Sequence, residues 1–267
     1  MTSLEQRVVE AAKFIGEHAQ ESPTTGVILG SGLGNYADSL PNSTSIDTLT
    51  IPNYPVSSVE GHKGRLVFST TSGTRVLTLQ GRVHFYESND AESVLFPIYV
   101  AHQLGVRTLI ITNASGGINR AFSPGDLMVI SDQIDLTTIA LPHSGEGAPA
   151  RRPLYDMKLF VQVLEIGQRN AIPLKSGVYV GLKGPSYETA AEIEMIRRLG
   201  GDAVGMSTVL EVSLAASLGM KVIGVSCISN LATGITNRKL SHAEVTEVGN
   251  KTKDRFARLI GMIIEGL

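Results

Sequence analysis

At 267 residues, 42% of them hydrophobic and 18% charged, the chain can bury a large core and fits a single α/β domain spanning residues 1–267. A formal net charge of -2 excludes an overall field that would draw nucleic acid or an anionic membrane surface, so any anion site must be local. The single cysteine, Cys227, excludes a disulfide framework and a cysteine-built metal site, and in the apolar run Lys221–Ile228 it reads as a small buried hydrophobe. With no signal-like start and no apolar run of roughly eighteen residues, a cytoplasmic protein is expected.

Leu4, Val8, Val9, Ala12, Phe14 and Ile15 recur at helical spacing and predict an amphipathic helix to about Gln20. Val27-Ile28-Leu29 reads as a buried strand running into Gly30-Ser31-Gly32-Leu33-Gly34, a loop whose backbone donors can approach an anion closely. Gly32 to Ala37 also satisfies the Gly-x-Gly-x-x-Ala dinucleotide fingerprint, but Pro41 follows almost at once and Asp47 does not end an apolar run. Arg65–Thr70 and Arg75–Gln80 predict two strands around the turn Ser72-Gly73, and Gly61-His62-Lys63-Gly64 a polar turn before them. Asn89 and Asp90 can cap a helix over 91–104, with Pro97 marking a kink or a late start.

Arg107–Thr112 is a strand of the kind buried on both faces, ending in the small-residue loop Asn113–Gly117. Asp126–Asp135 predicts another strand, and residues 137–155 a long loop without a clear period. A helix over 157–168, a strand over 177–182, the loop Gly184–Glu188, a helix over 189–199 and a short strand at Ala203-Val204 follow. The turn Gly205-Met206-Ser207, a helix over 209–218, a strand over 221–229 and a last helix from His242 to Ile264 complete the chain. Strands alternating with helices predict a mixed, largely parallel central sheet flanked by helices, with one ligand-binding edge.

The polar exceptions gather at that edge: Ser31, Asn113 to Ser115, Ser207 and Asn230 follow strands, and Arg82 and His84 end another. If extension persists from Arg75 to Glu87, Arg82, His84 and Tyr86 share one face and Val83 and Phe85 the other. Ser31, Arg82, His84 and Ser207 are donors suited to a phosphate, whereas Glu188 and Asn230 suit the hydrogen-bonding edge of a planar heterocycle. Tyr187 could stack on that ring and Met206 pack against a sugar; Asn113 is either a turn former or a ligand contact.

Gly30–Gly34, Val59–His62, Gly81–Glu87, Thr112–Gly117, Gly184–Thr189, Ala203–Thr208 and Ser229-Asn230, taken in order, resemble the trimeric purine nucleoside phosphorylases. The resemblance implies reversible phosphorolysis of purine nucleosides, preferably inosine and guanosine, by a homotrimer that uses inorganic phosphate as co-substrate and no metal or organic cofactor. It assigns Ser31, His62, Arg82, His84, Ala114 (through its backbone) and Ser207 to phosphate. Tyr86, Tyr187, Glu188, Val204, Met206, Asn230 and His242 fall to the nucleoside, with His84, Glu188 and Asn230 carrying the chemistry.

Two departures stand out. Loop 137–155 lacks the phenylalanine that family members reach into a neighbouring subunit, leaving Tyr155 or His143 as substitutes, or no such contact. Leu231 replaces a lysine found in mammalian members, while Asn230, where the methylthioadenosine phosphorylases carry aspartate, points to 6-oxopurines. Two other classes fit parts of the sequence. A nicotinamide-dependent oxidoreductase would use the Gly32–Ala37 match, and a non-catalytic purine binder would not need Arg82 together with His84.

Overall fold

The computed structural model describes residues 3–19, 22–59, 61–141, 153–236 and 242–267, with 242–244 described from the backbone alone. The chain opens with α1 (Leu4–His18), β1 (Thr25–Leu29), α2 (Asn35–Asp38), β2 (Thr44–Asp47), β3 (Arg65–Thr71), β4 (Thr74–Gln80) and α3 (Phe85–Ser88). It continues through α4 (Ala91–Gln103), β5 (Thr108–Gly117), β6 (Leu127–Asp135), α5 (Met157–Arg169) and β7 (Leu174–Gly181). It closes with α6 (Ala190–Arg198), β8 (Ala203–Gly205), α7 (Val209–Ser217), β9 (Lys221–Leu231) and α8 (His242–Glu265).

Helix starts follow local chemistry. Ser3 and Gln6 form a capping box on α1, which turns Val8, Ala11, Ala12 and Ile15 inward and ends at His18, short of the expected Gln20. Asp90 caps α4 by accepting from Glu92 and Ser93, and Pro97 lies inside that helix rather than at its start. Ser72 and Gly73, at φ 48° and 82°, make the left-handed turn that a tight β3–β4 hairpin needs. The sequence reading missed α2, α3 and β2. Each is only one turn or one short edge, and in β2 Ile46 alone points inward, so no period develops.

The nine-stranded sheet runs β2-β3-β4-β1-β5-β8-β7-β6-β9, and β9 also pairs with β5. That extra pairing closes β5, β8, β7, β6 and β9 into a ring, from which β1, β4, β3 and β2 extend as an open arm. Parallel pairs join β1 to β4 and β5, β5 to β9, and β7 to β6 and β8. Antiparallel pairs join β2 to β3, β3 to β4, β5 to β8 and β6 to β9. The sheet is therefore mixed with a parallel centre, and the expected open edge is instead the mouth of a ring. Asn113–Gly117, expected as a loop, is the far half of β5, held extended by pairing with Ser226–Leu231 of β9.

Side chains alternate between two apolar layers. Ile28, Leu109, Ile111 and Val222 face one with α1, α4 and α7; Val27, Leu29, Ile110, Ile223 and Val225 face the other with α5 and α8. Strands covered on both faces read as continuous apolar runs, which is why β1, β5 and β9 were legible. Fully burying one such side chain is worth roughly 1.5–3 kcal/mol, so these layers hold the sheet rather than the polar β2 edge. Cys227 is buried in the second layer, and burial pushes its thiol up, as a structural hydrophobe requires.

At the end of β1, a Cβ on Gly30 would lie 2.6 Å from the Asn113 Cα, so only glycine lets this loop pack on β5. The following α2 spans Asn35–Asp38, and Asp47 spends its side chain accepting from Leu49 N–H at 2.9 Å. The Gly32–Ala37 match thus opens no crossover helix, and the dinucleotide fingerprint is not realised. Among the described residues no helix is long and apolar enough to cross a membrane.

Candidate active site

One cleft at the mouth of the ring is lined by Ser31, Arg82, His84, Tyr86, Ala114, Tyr187, Glu188, Val204, Met206, Ser207 and Asn230. These residues arrive from the ends of β1, β4, β5, β7, β8 and β9, so the sheet topology alone brings them together. The local geometry around Arg82 differs from the expectation. β4 stops at Gln80, Gly81 takes φ 113°, and Phe85–Ser88 turns into helix. Arg82, His84 and Tyr86 still share the cleft while Val83 is buried behind them, because a bend and one helical turn reproduce the separation that continued extension would have given.

Arg82 is 6% exposed, and its Nη1 donates to Glu211 Oε2 at 3.1 Å and to Thr208 Oγ1 at 3.2 Å. Its Nη2 donates to the Thr112 carbonyl. His84 is held by Glu87, whose Oε1 lies 3.1 Å from Nδ1 and accepts the His84 backbone N–H at 2.6 Å. With Nδ1 donating to that carboxylate, Nε2 is the ring nitrogen left for a ligand. Burial alone would raise Glu87, but hydrogen bonds from His84 and Ser58 overcome it and hold the carboxyl at about 2. Glu87 is thus a fixed negative charge beneath His84.

His62 lies behind this wall rather than in it. Its Nε2 is 3.1 Å from Ser31 Oγ, and its Nδ1 lies 2.7 Å from the Arg82 carbonyl. Burial first, then the neighbouring His84, pushes its pKa down to about 4, so the ring is neutral near pH 7. Nδ1 faces both the Arg82 carbonyl at 2.7 Å and the Arg82 backbone N–H at 3.0 Å; with the shorter contact carrying the Nδ1 proton, Nε2 accepts from the Ser31 hydroxyl and orients it. The rings of His62, His84 and Tyr86 form a file, with centroids 5.2 Å and 5.0 Å apart.

The other end of the cleft is less charged. Glu188 is 9% exposed, and burial pushes its carboxyl up. Asn230 is buried near the end of β9, where the β5–β9 register shifts between Ser115 and Gly116, so that Gly116 stands opposite Asn230. Such a bulge re-aims a side chain beside a site. Asn230 Nδ2 donates to Ser229 Oγ at 3.3 Å. A Cβ on Gly184 would meet Met206 Sδ at 2.4 Å and Tyr86 Cδ1 at 3.0 Å, so the loop carrying Tyr187 and Glu188 closes over the cleft only with glycine there.

Asn113, expected as a turn former or a ligand contact, is extended in β5 and lines the cleft; its Nδ2 donates to Thr208 Oγ1 at 2.9 Å and its Oδ1 accepts from Ser226 Oγ at 2.6 Å. Several other site-building residues were not singled out by sequence reading. Glu87, Thr208 and Glu211 hold Arg82 and His84 in place, and a signal for them existed. His84-x-x-Glu87 and Thr208-x-x-Glu211 both carry the spacing at which an N3 glutamate returns to its own N-cap. Val245 of α8 also lines the cleft, with no local signal that could have found it.

His242 begins α8, but its side chain lies outside the described residues, as does His143. Tyr155 cannot replace the missing phenylalanine: it is 2% exposed, buried inside its own chain with its hydroxyl donating to Gln133 Oε1 at 2.9 Å. Among the described residues no group of three or more His, Cys, Asp or Glu is placed to hold a metal ion.

A family model described as "Phosphorylase superfamily" matches residues 24–265. The fold is therefore that of the phosphorylase superfamily. Purine nucleoside phosphorylase 1 of Bacillus subtilis is 46% identical over 267 residues, covering 98% of each chain. The Mus musculus purine nucleoside phosphorylase is 38% identical, covering 96% of this chain and 93% of its own. The crystal structure of the Schistosoma mansoni purine nucleoside phosphorylase with inosine aligns at TM-score 0.87 and 34% identity, covering 98% of this chain and 96% of its own. Another S. mansoni structure, solved with adenosine, aligns at TM-score 0.89 and 35% identity, covering 98% of this chain and 97% of its own. The chain belongs to the purine nucleoside phosphorylases, pentosyl-transferring enzymes of that superfamily.

Proposed function

We propose that this enzyme carries out reversible phosphorolysis of purine ribonucleosides and deoxyribonucleosides, preferably inosine and guanosine, within purine salvage. The observation that carries the reading is the division of one cleft into an anion end, with Ser31, Arg82, His84, Ala114 and Ser207, and a heterocycle end, with Glu188 and Asn230. A phosphate oxygen attacks the anomeric carbon, the bond from that carbon to the purine nitrogen breaks, and its electron pair leaves with the base, which takes up a proton. Positive charge grows on the sugar while the base turns anionic. Phosphate held by Arg82, His84, Ser31 and Ser207 stabilises the first charge and then captures the carbon. Asn230 faces the second through its amide, and Glu188 accepts from the ring edge.

In this reading Tyr86 and Met206 contact the sugar, His242 its 5′-hydroxyl, Val204 the nucleoside and Tyr187 the base, and His62 acts on phosphate through Ser31. In this reading inorganic phosphate is a co-substrate, no cofactor or metal takes part, and residues 1–267 act as one domain of a cytoplasmic homotrimer.

The test is the initial rate of base release from inosine, guanosine, adenosine and 5′-methylthioadenosine, each with and without phosphate. Phosphate-dependent cleavage of inosine and guanosine, with adenosine near background, is expected. Preferential cleavage of methylthioadenosine would overturn the roles given to Asn230 and His242, and no phosphate-dependent cleavage at all would overturn the reaction. Adenosine is the informative arm, because a relative has been crystallised with it.

A further inference from the structure

Beneath the anion end lies a carboxylate to which the reaction above gives no role. Glu211 stands in the first turn of α7; its side chain and that of Arg82 are each 3% exposed. Glu211 Oε2 accepts from Arg82 Nη1 at 3.1 Å and from the Thr208 backbone N–H at 2.7 Å. Thr208 itself is strained, at φ 78° and ψ −53°, a region that β-branched residues avoid. It sits at the centre of a γ-turn in which Val209 N–H donates to the Ser207 carbonyl at 2.9 Å. Such a conformation persists only where its surroundings over-determine it. Here Glu211 takes its N–H, and Arg82 and Asn113 Nδ2 both donate to its Oγ1.

The donors can be followed proton by proton. Nη1 of Arg82 is committed to Glu211 and Thr208, and Nη2 gives a proton to Thr112 O. Nε, buried and without a hydrogen-bond partner among the described residues, and the second Nη2 proton remain. Thr208 Oγ1, accepting from two nitrogens, sends its own proton to Ser207 Oγ, 3.0 Å away. That orients the Ser207 hydroxyl, whose proton can then go to an anion or to the buried Tyr179 hydroxyl beside it.

We infer that Glu211 is a positioning residue for phosphate. It fixes the roll of the Arg82 guanidinium and holds the Thr208 turn, so that the uncommitted Arg82 donors and the Ser207 hydroxyl serve one anion. This rests on the assignment of Arg82 and Ser207 to phosphate. Charge compensation accounts for the Arg82 contact and the helix cap for the bond to Thr208 N–H; what couples them is that both fall on one oxygen, Glu211 Oε2, so the guanidinium and the strained turn are set together.

The test is steady-state kinetics of Glu211→Gln, which keeps the shape and removes the charge, with inorganic phosphate and inosine varied separately. The KM for phosphate should rise by about tenfold or more, the KM for inosine at saturating phosphate should stay within about twofold, and kcat should fall by less than about threefold. Hypoxanthine affinity without phosphate, read by calorimetry, should not change. A folded Glu211→Gln in which both KM values rise together, or neither moves, overturns the inference. A fall in phosphate KM also overturns it, because Glu211 would then compete with phosphate for Arg82. Should Glu211→Gln fail to fold, Glu211→Asp, which keeps the charge but shortens the reach, carries the same ratio. Arg82→Lys separates the two levels: if its phosphate KM is unchanged, the assignment of Arg82 fails and not the role of Glu211 alone.

Discussion

At the end of the cleft proposed for phosphate, each side chain is already held by the protein: Arg82 by Glu211 and Thr208, His84 by Glu87, and Ser31 by His62. At the base end, Tyr187 is 47% exposed and shares with Glu188 the loop between β7 and α6, anchored by the Thr189 cap. The difference follows the ligands. Phosphate brings the same charge and shape to every turnover, so donors fixed in advance avoid reorganisation at the moment of reaction. The nucleoside is the larger and more varied partner, and the loop proposed to cover it packs past Met206 only because residue 184 is glycine.

Removing the centre of the rigid end should do the most damage. Arg82→Met should lower kcat/KM for phosphate by about a hundredfold to a thousandfold. It should also destabilise the protein by about 3–5 kcal/mol, because Glu211 is left as an unpaired buried charge. Urea unfolding checks this: Arg82→Met with Glu211→Leu should regain most of the stability and none of the activity. Recovery of activity in the double variant would show that the anion end does not depend on Arg82.

Asn230→Ala tests the opposite end. Losing one donor aimed at developing charge should cost about 3 kcal/mol in the barrier, on the order of a hundredfold in kcat for inosine, with phosphate KM little changed. Equal losses in both substrates' KM would mean that the two ends are not separable. Tyr187→Ala should be milder, raising the nucleoside KM by about three- to tenfold, since a half-exposed ring over a base is worth about 0.5–1.5 kcal/mol.

The smallest effect is a pH signature of the rigid end. His62 has its pKa lowered on folding, from 6.5 to about 4, so the unfolded chain binds more protons between those values. Its contribution to stability is present above the unfolded value and is lost as pH falls through the folded one. Glu87, lowered from 4.5 to about 2, contributes stability that is present above 4.5 and lost below it. Urea midpoints measured from about pH 7 to pH 4 should therefore fall in the natural protein, and fall less steeply in His62→Asn. Parallel slopes in the two proteins would remove His62 from the acid limb.

Local rules carried much of the fold. Buried strands β1, β5 and β9 announced themselves as apolar runs, α1 and α4 by their caps and spacing, and the β3–β4 hairpin by Ser72-Gly73. The polar residues interrupting those patterns at strand ends, Ser31, Arg82, His84, Ser207 and Asn230, are the ones that the structure brings into one cleft. Period and composition are properties of a few adjacent residues, so one chain without its contacts suffices to reveal them.

What the sequence could not determine depends on residues far apart along the chain. The β5–β9 pairing that closes the ring and turns Asn113–Gly117 from loop into strand joins segments more than a hundred positions apart. So does the union of Arg82 with Glu211, while Asn113 meets Thr208 from 95 positions away. Glu211 carried a helix-start signal in the sequence, but that spacing cannot say that its carboxylate also meets a guanidinium from β4's end. Only packing decides that, because burying either charge is tolerable only when the other is already there.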